Sequence, residues 1–156
     1  MSLLEEHLLS PSGKWSTFYV ADELLAVRVE DVQEILMPQA LTPVPLAPSH
    51  VLGLLNLRGQ VMPVLDLRPR LGFPPAAAEG RGRLMVLTND AEPYAVMVDE
   101  VGDVIELGRQ SWLPVPPTLA AARREHVFGI NPIEHRIVLG LRLAALWTND
   151  GAEGAQ

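Results

Sequence analysis

The chain resembles itself, and that repetition constrains its fold more than any other feature. Ala26-Val27-Arg28-Val29-Glu30-Asp31-Val32-Gln33-Glu34-Ile35 matches Ala95-Val96-Met97-Val98-Asp99-Glu100-Val101-Gly102-Asp103-Val104 at an offset of 69, with apolar and acidic positions agreeing almost throughout. Pro43-Val44-Pro45 recurs as Pro114-Val115-Pro116 at an offset of 71, and Val51-Leu52-Gly53-Leu54 as Val127-Phe128-Gly129-Ile130 at 76. The run Val61 to Leu67 falls on Ile137 to Leu143. The order is strand, acidic segment, Pro-Val-Pro, hairpin, twice over. The growing offset places extra residues in the second copy at Pro117 to His126, where Thr118 to Arg124 can form a helical turn or two. Half-domains of about 65 to 70 residues are marginal alone, so two small barrels sharing one core are expected.

The local pattern agrees with a mainly all-β chain that has short helices. Apolar runs of four to eight residues, rich in Val, are separated by Gly, Pro, Asn or Asp, the pattern of a sandwich or barrel. Phe18 to Val20 and Leu24 to Val29 read as a hairpin around Asp22-Glu23. Val51 to Leu57 and Gln60 to Leu67 read as a second, turning at Arg58-Gly59, where Gly takes positive φ without steric cost. Pro63 lacks an N–H, so its strand is expected at an edge or with a bulge there. Residues 3 to 9 have the spacing of a short amphipathic helix ended by Ser10-Pro11-Ser12-Gly13. Gly72 to Gly82 reads as a mobile loop, and the segment after Trp147 as a frayed end.

Composition removes several function classes. A net charge of −7 and a pI of about 5.0 argue against nucleic-acid or anionic-membrane partners, which need clustered positive charge. With no cysteine there is no disulfide framework, no Cys-ligated zinc and no thiol nucleophile. No apolar run approaches the roughly 18 residues of a spanning helix, and the acidic start Met-Ser-Leu-Leu-Glu-Glu is unlike a secretory signal. A soluble, cytoplasmic domain is expected. His7, His50, His126 and His135 are scattered, without a metal-binding spacing. No Gly-x-Ser-x-Gly elbow is present, and Gly80-Arg81-Gly82-Arg83 lacks the phosphate-loop spacing. Acids cluster at Glu30, Asp31 and Glu34 and again at Asp99, Glu100, Asp103 and Glu106. Val29, Val32, Ile35 and Leu36 interleave with the first group at i, i+3, i+6 and i+7, which reads as a packed apolar side and an acidic side facing water or a partner. The enzymatic alternative is a small β-barrel hydrolase using paired carboxylates such as Asp66 and Asp99. One residue resists a purely structural reading. Arg58 sits at a hairpin tip where a turn alone favours Asn-Gly or Asp-Gly, and it offers a planar five-donor group to a partner.

These motifs together resemble the CheW family, the coupling adaptors of bacterial chemotaxis arrays. The resemblance is carried by Val32-Gln33-Glu34-Ile35, Pro43-Val44-Pro45, Gly53-Leu54-Leu55-Asn56-Leu57-Arg58-Gly59, Pro63-Val64-Leu65-Asp66-Leu67-Arg68 and Val98-Asp99-Glu100-Val101-Gly102-Asp103-Val104, in order from about Phe18 to Trp147. It implies two linked five-stranded SH3-like β-barrels around a shared hydrophobic core, no catalytic activity and no cofactor. It implies two partners, the cytoplasmic tip of methyl-accepting chemoreceptors and the regulatory domain of a CheA-type histidine kinase. It makes Val32 and Glu34 candidates for the kinase-facing surface, and Gly53, Asn56, Arg58 and Gly59 candidates for a hairpin supporting receptor and kinase coupling. The implied division is an N-terminal extension over 1–13, a single domain over 14–148 with halves of roughly 18–73 and 83–147 whose ends are free to cross over, and a tail over 149–156. Many members carry Leu-Asp in the last strand, whereas here Arg142 stands opposite the repeat position of Asp66. A chemotaxis-like pathway controlling type IV pilus motility or another output is the alternative within this class.

Overall fold

The structure is a computed structural model, and it describes residues 9–75, 82–88, 92–143 and 146. Its strands are β1 (Lys14–Val20), β2 (Glu23–Arg28), β3 (Val32–Leu36), β4 (Val51–Leu57), β5 (Gln60–Asp66), β6 (Arg83–Leu87), β7 (Tyr94–Val98), β8 (Glu100–Glu106), β9 (Val127–Ile133) and β10 (Arg136–Leu141). The short helices α1 (Leu67–Leu71) and α2 (Ala121–Arg124) accompany them. The helical turn expected within Thr118 to Arg124 is α2.

The strands form two five-stranded sheets, ordered β8-β1-β2-β10-β9 and β3-β6-β7-β5-β4. In the repeat, β1 to β5 correspond to β6 to β10, and both sheets then read third, first, second, fifth, fourth. The first two strands always come from the other copy. The two copies therefore exchange their leading hairpins, and each SH3-like barrel is made from both segments read as halves, roughly 18–73 and 83–147. The chain beyond each third strand closes its barrel. Thr42 bridges to Leu54 of β4, and Leu113 bridges to Ile130 of β9, at the repeat offsets of 71 and 76.

Alternation along the strands explains why so many apolar runs are unbroken. Leu24 and Ala26 point into one barrel with Trp15, Trp112, Phe128 and Val138. Their neighbours Leu25 and Val27 point the other way, into a core shared with Leu65, Met85, Val96 and Leu139. Likewise Leu84, Val86 and Ala95 fill the second barrel with Leu55 and Met62. Strands buried on both faces carry apolar residues at consecutive positions. The shared core takes strands from both sheets, with Leu67 and Leu71 of α1 and Leu143 and Leu146 sealing it.

Three expectations change in detail. The first hairpin turns at Ala21-Asp22, both with positive φ (51° and 71°), rather than at Asp22-Glu23. The segment from Val29 is a single 3-10 turn over Val29–Asp31 followed by β3, so its period is two, not helical. Ile35 is consequently exposed and Asp31 buried, the reverse of the sides assigned by i, i+3 spacing. Asp31 is held by Arg28, whose Nε and Nη2 each donate to one carboxylate oxygen at 2.8 Å. Pro63 lies in β5, which is flanked by β4 and β7 rather than at an edge, and the register shift is in β4, between Val51 and Gly53. Counting back from the hairpin, Leu54 and Pro63 form a non-hydrogen-bonded pair, so the nitrogen of Pro63 faces away from β4. Pairing with β7 begins only at Val64, and no ladder bond is lost. The expected helix over 3–9 and the tail lie outside the described residues, apart from Leu9, as does most of the loop from Gly72 to Gly82.

Candidate partner-binding surface

The hairpin of β4 and β5 closes with Leu57 opposite Gln60. Arg58 and Gly59 between them have φ of 53° and 86°, a type I′ turn whose twist matches the strands. The side-chain oxygen of Asn56 accepts a hydrogen bond from the Gly59 N–H at 3.1 Å, which fixes the turn from inside. Gly59 takes its conformation freely. Arg58 does not, since a side chain in the left-handed region is strained. Local physics favours Asn at this place, so Arg58 is held there by what its side chain does.

Its guanidinium Nη2 donates to Oε2 of Glu34. Glu34 belongs to β3, at the opposite edge of the same sheet, so the ion pair spans the seam where the barrel closes. The Arg58 side chain remains 68% exposed and that of Glu34 27%. Such an exposed pair adds little to stability, but it holds the guanidinium fork in one place.

Gly53 acts at the same seam. Its φ is 153°, and a Cβ there would lie 2.7 Å from the Thr42 carbonyl oxygen. Thr42 and Leu54 exchange N–H···O bonds of 2.9 and 2.8 Å, so the glycine lets the chain leaving β3 settle onto β4. Thus Glu34, Gly53, Asn56, Arg58 and Gly59 meet at one closure. Val32 does not join them, because it is half-buried and packs against the shared core.

Around this seam stand exposed apolar side chains, one of which, Ile35, the helical reading of the acidic segment placed on the packed side. Ile35 and Met37 are 42% and 60% exposed, and Val61, directly opposite Asn56, is 59% exposed. Strict alternation along β3 is the signal that finds Ile35. The repeat supplies the counterparts Val104 and Ile137 on the other barrel, both also exposed.

The two carboxylates of the hydrolase reading have structural partners. Asp66 caps α1, its Oδ1 accepting from the Arg68 N–H at 3.1 Å. Asp99 Oδ2 accepts from Arg68 Nη2 at 2.6 Å and from the Ala21 N–H at 2.7 Å. One arginine thus organises both. Among the described residues no group of three or more His, Asp or Glu is placed to hold a metal ion, and no helix is long and apolar enough to cross a membrane.

Comparison with known proteins agrees with this architecture. A family model described as the CheW-like domain matches residues 14–150. The chain is similar to Chemotaxis protein CheW of Rhizobium meliloti, 29% identical over 155 residues that cover 99% of this chain and 100% of that one. It is also similar to Protein FrzA of Myxococcus xanthus, 35% identical over 120 residues, 77% of this chain and 74% of that one. The crystal structure of the scaffolding protein TtCheW from Thermoanaerobacter tengcongensis superimposes with a TM-score of 0.80 at 27% identity, covering 89% of this chain and 94% of that one. With the match running through both copies of the repeat and through the Asn-Leu-Arg-Gly hairpin, the chain belongs to the CheW family of chemotaxis coupling scaffolds.

Proposed function

We propose that this chain is a non-enzymatic adaptor that couples methyl-accepting chemoreceptors, at their cytoplasmic tip, to the regulatory domain of a CheA-type histidine kinase. The observation that carries this reading is the Glu34–Arg58 pair across the barrel seam, which presents a strained, exposed arginine on a rigid hairpin among uncovered apolar side chains. Glu34 and the β3 edge form the kinase-facing side. Arg58 serves receptor and kinase coupling, with Gly53, Asn56 and Gly59 shaping its support and Val32 anchoring β3 from beneath. The structural engagement of Asp66 and Asp99 supports a role without catalysis. An adaptor of this kind works in the cytoplasm and transmits a signal by binding its partners differently in their two states.

Arginine is enriched at interface hot spots, where truncation costs about 2 kcal/mol or more, or roughly 30-fold in affinity. Arg58→Glu is therefore expected to weaken binding to the receptor tip or the kinase regulatory domain by that amount, measured by calorimetry on purified components, with an unchanged circular dichroism spectrum. Unaltered affinity for both partners would remove Arg58 from the interface. The likeness to FrzA favours keeping a second reading, an adaptor of a chemotaxis-like pathway with another output such as type IV pilus motility. The genes neighbouring this one distinguish the two.

A further inference from the structure

The loop joining β3 to β4 has no charged residue from Met37 to Ser49, in a chain with 20% charged residues. Its foot is fixed by the pair of hydrogen bonds exchanged between Thr42 and Leu54 and by the Val51 N–H donating to the Pro48 carbonyl at 2.9 Å. Between these anchors the Ala47 N–H donates to the Val44 carbonyl at 3.3 Å. That bond closes a four-residue turn with Pro45 in its second position and Leu46, at φ 63°, in its third. This is a type II turn, whose third position requires positive φ and favours Gly or Asn. A leucine is strained there. Its side chain gains nothing inside the molecule, because Leu46 is fully exposed at 103%. Neither local conformation nor packing accounts for the residue, whereas an external apolar contact does.

We propose that Leu46 is an apolar anchor that inserts into an uncharged recess on the kinase regulatory domain, an inference that rests on the coupling function proposed above. The loop continues directly from the β3 edge assigned to the kinase, and Ile35 and Met37 lead up to it as exposed apolar residues. The absence of charge from Met37 to Ser49 calls for an equally uncharged counterpart, since a charged one would be desolvated without a partner. Three prolines, Pro43, Pro45 and Pro48, hold the turn before binding, so little ordering entropy is lost when the leucine is buried.

The test is Leu46→Asn, which suits positive φ and removes the apolar side chain. The affinity of the full chain for the purified kinase regulatory domain and for a purified receptor tip is measured by calorimetry, with melting temperature alongside. Losing one buried leucine weakens the kinase complex roughly 10- to 100-fold, leaves receptor binding within about twofold, and leaves the melting temperature equal or higher as the strain is relieved. Kinase affinity within about twofold of the parent, weakening confined to the receptor, or a melting temperature lowered by roughly 5 °C or more overturns the proposal. A parent chain that binds neither partner overturns the coupling function itself. Loss in Leu46→Asn is informative only against a parent that binds, so the two failures are told apart.

Discussion

A methyl group on residue 53 would sit 2.7 Å from the Thr42 carbonyl oxygen and 3.1 Å from the Leu41 side chain, on a backbone already at φ 153°. Both obstacles are part of the barrel closure, so neither can move without opening it. Gly59 offers a control, with φ at 86° and nothing within 4 Å of an added Cβ. Gly59→Ala is expected to cost about 1 kcal/mol of backbone strain and Gly53→Ala about 2–3 kcal/mol, which separates their melting temperatures by roughly 3–6 °C in a domain of this size. Equal losses would mean that the close approach to Thr42 relaxes freely. At this scale the sequence was informative where a residue departs from its local preference. Arg58 stands out because a two-residue hairpin turn favours Asn. Leu46 carries the same kind of signal in Pro45-Leu46, but a turn inside a proline-rich loop can be recognised only once the Val44–Ala47 bond is seen. Gly53 is legible as part of a motif, yet its cause is a carbonyl eleven residues earlier in the chain, brought there by tertiary structure.

Short elements are where a sequence period is least decisive, and the acidic segment shows why. Over eight residues, four apolar positions fit a helical spacing, and only the 3-10 turn before β3 resolves the conflict, by resetting the phase between Val29 and Val32. The same turn positions Glu30 to hold the chain preceding β1. Its Oε1 accepts from the Ser10 hydroxyl at 2.7 Å and its Oε2 from the Ser12 N–H at 3.0 Å, while the Gly13 carbonyl, just before β1, accepts from the Leu107 N–H, just after β8. Slight burial raises the Glu30 pKa, but the hydrogen bonds from Ser12 and Ser10 outweigh it and bring it from 4.5 down to about 2. A depressed carboxylate pKa stabilises the fold above the unfolded value, and that stabilisation is lost as pH falls through the folded value. The melting temperature of the parent should therefore exceed that of Glu30→Gln at neutral pH, with the gap narrowing between about pH 4.5 and 2. A gap that is constant through that window would assign the difference to something other than this carboxylate.

For the whole molecule, the reciprocal exchange of leading hairpins matters more than the number of strands. The duplication was readable because its landmarks are turn residues and acids spaced along the chain, which survive divergence of the apolar positions. Strand exchange was not readable, because either arrangement pairs equivalent strands with the same faces buried. Closing each barrel from its own copy would satisfy the local pattern equally well. The structure takes the exchanged form, with β1 and β2 between β8 and β10, and β6 and β7 between β3 and β5. Each half then holds two strands of its neighbour's barrel, and the core between the barrels is lined by Phe18, Leu25 and Val27 from one half and Met85, Val96 and Leu139 from the other. Neither half can bury that face alone, and a unit of this size is marginal even when complete. Expressed as separate chains, 1–75 and 82–156 are expected to combine into a single 1:1 complex with the circular dichroism spectrum of the intact protein and a melting temperature that rises with concentration. Either fragment alone should be unfolded or self-associated, its hairpins seeking the same exchange in a second copy. A fragment that is monomeric and cooperatively folded by itself would show that a barrel can close within one copy, and that the exchange is not what unites the two halves.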